Sequence, residues 1–194
     1  MYKYVYIYPN LTAGIWLNTA VVADLQWFTD WAEQLHGVRI LGDVSWLAQD
    51  ADLQIWCDAS NFGLGFISAE PNIGYFQRED DPSKAQSHTF FFEELCVVSA
   101  VLWATQLPKR LWHLAIHSES ANTHAAFNSL CAYGHYNLLL MRPIDSLLDS
   151  GIDLRVFHIP GKSNAAADAL SCGQFQLVRQ LQPGVSLRLF SPPP

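Results

Sequence analysis

Four acids in this chain stand where they could do chemistry together: Asp58, Glu93, Glu119 and Asp168. Four carboxylates cannot crowd into one place without a counter-charge. Either some are protonated or a divalent ion sits between them. Oxygen-only ligands suit magnesium or manganese, not zinc. Two such ions about 4 Å apart are a recurring apparatus for cleaving a phosphodiester. One activates water for in-line attack, and the other stabilises the leaving 3′ oxygen.

The elements that must position these acids begin with Leu53 to Phe66, LQIWCDASNFGLGF. Leu53, Ile55 and Cys57 fall on one face, and Gln54, Trp56 and Asp58 on the other, which is the period of a strand. Asp58 thus ends a strand just before a turn. The glycines that follow, Gly63 and Gly65, lower strand propensity and let another backbone or a ligand come close. Strands are expected at 53–58, 62–69 and 73–77, forming an antiparallel meander. The segment 88–106 reads as a helix apolar nearly all round, hence buried, ended by Leu107-Pro108, with Glu93 in its first two turns. A strand at 111–117 leads to Glu119, helices at 122–132 and 135–150 follow, and a strand at 153–159 comes next. The helix 163–172, SNAAADALSC, carries Asp168, with Ser163 or Asn164 as its cap. The later strands, each reached through helices, should run parallel to the first. Sites gather beyond the carboxyl ends of parallel strands, so Asp58 and Glu119 should be neighbours, with Glu93 and Asp168 entering from helices.

Upstream, residues 16–36 have the pattern of a helix, with Leu17, Val21, Leu25, Phe28 and Trp31 on one face and Gly37 just past its end. Residues 1–15 are aromatic and irregular, a strand or an arm, and 38–41 could form a short strand. The change of rhythm at Leu53 divides the chain into 1–52, a main domain over 53–172, and a tail over 173–194 that ends in three prolines and reads as frayed.

The bulk numbers narrow the classes. The chain has 194 residues, half of them hydrophobic and 15% charged, so a globular core is expected. A formal charge of −7 argues against a free-standing nucleic-acid binder, which carries a basic face, but not against a catalytic domain that collects metal ions. Cys57, Cys96, Cys131 and Cys172 are widely spaced, without metal-ligand spacing, as expected of small buried side chains in a reducing compartment. No signal-like segment and no membrane-spanning run is present, which gives an expectation of an intracellular protein, cytoplasmic or nuclear. The sequon Asn10-Leu11-Thr12 then carries no meaning.

The pieces DASNFGLGF (58–66), FFEELCVVSAV (91–101), IHSESANTHAAFNSL (116–130) and HIPGKSNAAADALS (158–171) together resemble the ribonuclease H domain of retrotransposon-type reverse transcriptase polyproteins. The last is the most specific, and the resemblance covers about residues 53–172. DLQWFTDW, within the helix at 16–36, is similar to the segment that joins polymerase to this domain in such elements. The resemblance implies an α/β, ribonuclease H-like fold: a five-stranded mixed sheet of order 3-2-1-4-5 flanked by helices. It implies metal-dependent endonucleolytic hydrolysis of the RNA strand of an RNA–DNA hybrid, with magnesium or manganese, two ions. Partners would be the hybrid and a polymerase domain of the same polyprotein. No polymerase motif is present in the chain, and no membrane partner is expected.

Carried over residue by residue, Asp58 takes the place of the first family acid, and Glu93 that of the helix glutamate, with Glu94 as runner-up. Asp168 takes that of the last acid, four residues after Asn164. His158, ten residues before Asp168, stands where the family has a mobile histidine that assists leaving-group departure and product release. The departure is Glu119, where the family has aspartate. A glutamate reaches one methylene further, and magnesium tolerates little error in ligand geometry. By length alone, Glu119→Asp would be a gain. This departure and the negative charge motivate the alternative reading, a catalytically degenerate module that keeps the fold and serves as a nucleic-acid or protein binding scaffold. His113 and His117 on one strand face are read as surface or partly buried residues, Phe90-Phe91-Phe92 as core packing, and the acidic run 79–81 as a solvated loop.

Overall fold

The computed structural model describes residues 17–34, 46–78, 89–129 and 136–193. The expected arm at 1–15, the strand at 38–41, the acidic run 79–81 and Cys131 lie outside the described residues. The chain divides into two compact units, Met1–Ser45 and Trp46–Pro194.

In the first unit, helix α1 spans Thr19–Gln34. Asn18 caps it, its Oδ1 accepting from the Val21 amide at 2.8 Å. Leu25, Trp27 and Phe28 of this helix are exposed.

The second unit is built on one sheet. Its strands are β1 (Leu53–Ser60), β2 (Gly63–Ser68), β3 (Ile73–Arg78), β4 (His113–Ser118), β5 (Asp153–His158) and β6 (Ser186–Leu189), in the order β5-β4-β1-β2-β3-β6. β2 is antiparallel to both neighbours, whereas β4, β5 and β6 are each parallel to the strand they join. The order 3-2-1-4-5 expected of a ribonuclease H-like fold is therefore present, with one strand more than expected.

The two-residue period of β1 sends its apolar side chains to one face. Leu53, Ile55 and Cys57, with Leu114 and Ile116 of β4, bury there beneath α2 (Thr89–Thr105), whose Leu95 to Val101 are almost wholly buried. Helices α3 (Ala121–Ser129), α4 (Asn137–Met141) and α5 (Ile144–Ser150) lie between β4 and β5 in the chain. The single helix expected over 135–150 is split between α4 and α5, at Arg142-Pro143, because proline cannot donate the helical hydrogen bond. The opposite face of the sheet carries Ile67 against Ala167 and Leu170 of α6 (Ala165–Ser171), with Val178 of α7 (Phe175–Leu181) and Val185.

The expectation of a frayed tail is corrected here. Residues 173–194 supply α7 and β6, and β6 extends the sheet beyond β3, with Ile73 opposite Ser186. Val178 is 0% exposed and Val185 8%. Each buried valine contributes about 1.5–3 kcal/mol. Removal of everything after Gly173 should therefore lower Tm by roughly 10 °C, at about 2–4 °C per kcal/mol for a chain of this size. A truncated chain melting within about 2 °C of the full one in calorimetry would show that this segment adds nothing.

The connector before β1 also belongs to this unit. Trp46 is buried, its Nε1 donates to Asp153 Oδ2 at 2.6 Å, and Arg155 both donates to its carbonyl at 2.9 Å and lies over its ring.

Candidate metal-binding acid site

Asp58 lies near the end of β1, where that strand still pairs with Gly65 of β2. Glu119 follows the last residue of β4, the parallel neighbour of β1. Glu93 comes from the first turns of α2 and Asp168 from α6. All four line one open pocket of about 530 Å³, with Ala59, Ser60, Phe90, Ser120 and Asn122. Among the described residues, no lysine, arginine or histidine is in that lining. Phe90, read as core packing, also packs against the core, but its position makes it part of this wall.

The electrostatics follow from burial. Asp58 is 4% exposed and Glu93 8%. Burial, together with the Glu119 and Asp168 carboxylates, pushes Asp58 up to about 7, against the lowering effect of a bond from Ser171. Burial and then Asp58 and Glu119 push Glu93 up to about 8, although the Ala59 backbone N–H donates to it. Glu93 Oε2 is buried without a hydrogen-bond partner. Glu94 is fully buried, and both its oxygens lack partners; burial pushes it up to about 7. It is not among the residues that line the acid pocket.

α6 ties the site together. Ser171 Oγ forms a short bond with Asp58 Oδ2 and lies 3.0 Å from the Asp168 carbonyl. Asn164, 1% exposed, donates from Nδ2 to the Cys57 carbonyl at 3.0 Å and to Glu119 Oε1 at 3.3 Å. Asn164 does stand at the N-cap of α6, but its side chain makes no capping bond, which corrects the capping role expected of it. The close seat of α6 requires Gly65, where a Cβ would stand 2.7 Å from the Ser171 nitrogen. Ser171 and Asn164 were not marked as site residues by the sequence reading. The signal was available, since both fall within HIPGKSNAAADALS.

His158 ends β5, is exposed, and does not line the pocket. Its Nε2 is 3.1 Å from the Glu119 carbonyl oxygen, and its ring lies 6.4 Å from that of His124. His117 is buried rather than at the surface, stacked on Trp56 with Nε2 2.9 Å from Gln54 Oε1. His113 is partly buried, its ring tilted against that of Trp46 with centroids 4.9 Å apart.

The donor set suits a hard divalent cation: four carboxylates and, among the described residues, no cationic side chain in the lining and no partner for a buried Glu93 oxygen. Among the described residues, no three His, Cys, Asp or Glu side chains are already gathered as they would be around a bound ion. Burial and the neighbouring carboxylates favour the protonated forms of Asp58 and Glu93.

No family model and no curated protein matches the chain. Among solved structures, it is similar to the RNase H1 of the halophilic archaeon Halobacterium salinarum NRC-1, with 12% identity, a TM-score of 0.47, and coverage of 64% of this chain and 97% of that one. It is also similar to LC11-RNase H1, solved in complex with an RNA/DNA hybrid, with 14% identity, a TM-score of 0.45, and coverage of 61% of this chain and 93% of that one.

Proposed function

We propose that this chain is the ribonuclease H domain of a retroelement reverse transcriptase and hydrolyses the RNA strand of RNA–DNA hybrids with divalent metal ions. One observation carries the reading: Asp58, Glu93, Glu119 and Asp168, brought by the ends of two strands and by two helices, share one pocket with no cation among its described lining residues. The hybrid substrate and the retroelement origin rest on the motif resemblance over 58–66 and 158–171.

In this reading the four carboxylates hold magnesium or manganese. The ions would supply activation of water and charge stabilisation at the leaving 3′ oxygen. Ser171 holds Asp58 in its orientation, and Asn164 does the same for Glu119. His158, exposed beside the Glu119 carbonyl, would exchange a proton with the departing strand and help it leave. Specificity comes from hybrid shape and 2′-hydroxyl contacts rather than base reading. The second reading, a module that keeps the fold and binds without cutting, is motivated by Glu119 standing where the family has aspartate.

A labelled RNA–DNA hybrid incubated with the protein in magnesium and in manganese separates the two. Cleavage of the RNA strand alone is expected. Absence of cleavage in both metals, with the hybrid still bound, would install the binding module instead.

A further inference from the structure

Glu119 does not project freely into the pocket. Its Oε1 accepts from Asn164 Nδ2 at 3.3 Å. Its Oε2 lies 2.6 Å from the place where a Cβ on Gly161 would stand. Gly161 is not among the glycines with positive φ, so backbone conformation does not demand glycine there. The Glu119 carboxylate occupies the space a side chain there would take, so alanine at 161 would push that carboxylate aside.

Asn164 is itself anchored. Its amide carries two hydrogens, enough to serve the Cys57 carbonyl and Glu119 at once. Its Oδ1 is buried without a partner, so the two acceptors alone set the amide's orientation. The backbone of Glu119 is held as well, through its carbonyl and His158.

We propose that Gly161 and Asn164 form a cradle that makes glutamate, rather than aspartate, the acid this site requires at position 119. The proposal rests on the reading of the pocket as a divalent-ion centre. Aspartate would withdraw the carboxylate by one methylene, break the Asn164 bond and leave the space over Gly161 empty. The extra length of Glu119, which looks like a defect beside the family's aspartate, is matched by residues 42 and 45 positions further along the chain, at 161 and 164.

The test uses the full chain and three variants: Glu119→Asp, Gly161→Ala and the double variant, each checked for fold by circular dichroism. Manganese is titrated calorimetrically, and the side-chain amide resonances of Asn164 are recorded by NMR without metal. Each single variant should weaken manganese binding by about 10–100-fold, the usual loss when a group that orients a ligand is removed. The double variant should bind no more weakly than Glu119→Asp alone, because the shorter side chain no longer reaches Gly161. The Asn164 resonances should move in both single variants. Manganese binding by Glu119→Asp as tight as wild type or tighter would overturn the proposal. Unmoved Asn164 resonances with wild-type metal binding intact would also overturn it, and leave the divalent-ion reading standing. Moved resonances in a chain that takes up no manganese would overturn that reading, and the proposal with it.

Discussion

Asp58→Asn should lower hybrid cleavage at least about a thousandfold in magnesium and manganese alike, the scale of losing several kcal/mol of transition-state charge stabilisation. Asp58 lies near the end of the central strand, lines the pocket with the other three acids, and accepts at its carboxylate from the Ser171 hydroxyl. Asparagine keeps the shape and can still meet the Ser171 hydroxyl, so the fold should persist. Loss of charge is then separated from loss of structure by matching circular dichroism spectra. Retention of more than about a tenth of wild-type cleavage in either metal would remove Asp58 from the centre of the mechanism.

The metal-free protein should become less stable as pH rises from 6.5 to 8.5, and divalent ions should reverse this. The ordinary values are 3.8 for Asp58 and 4.5 for Glu93, and burial raises them to about 7 and about 8. The folded chain therefore holds protons that the unfolded chain has already released. Their stabilising contribution is complete below the unfolded values and is lost as pH climbs through the folded ones. Glu94, raised to about 7, acts in the same sense. His117 acts in the opposite sense, since burial lowers it below its ordinary 6.5, and its contribution is exhausted once pH has risen past that ordinary value. Each pKa unit corresponds to about 1.4 kcal/mol, and the acids titrate together, so a net loss of a few kcal/mol is expected. That is roughly 5–10 °C in Tm. Added magnesium binds the deprotonated acids and should raise Tm more at pH 8.5 than at 6.5. Glu93→Gln should flatten the metal-free slope. A metal-free Tm that rises across the window would contradict the inward placement of these carboxylates.

Much of this architecture was legible because local signals agreed with the global one. The alternation Leu53, Ile55, Cys57 against Gln54, Trp56, Asp58 placed one acid at a strand end and oriented the sheet. The apolar run of α2 marked a buried helix with glutamates in its first turns. What escaped was the structure whose signal is short or relational. β6 has four residues, too few for a clear period, and lies just before a proline run. It forms because β3 offers an open edge, which the segment itself does not encode. Asn164 carries a capping residue's identity at a capping position. It makes other bonds because the Cys57 carbonyl and Glu119 come within reach only once the sheet is built. Ser171 likewise acts across 113 residues of separation.

Gly65 has no atom that could touch a metal ion or a nucleotide, yet its absent side chain sets how low α6 rides over β1 and β2. Asp168 and the Ser171 hydroxyl travel on that helix, and Asp58 sits directly across the strand pair from Gly65. In a mutational screen scored by function, position 65 should therefore behave as though it were a ligand. Even alanine would lift one carboxylate away from the others while leaving every acid in the sequence. Inheritance of this site, in other words, is carried by an empty space as much as by the acids around it.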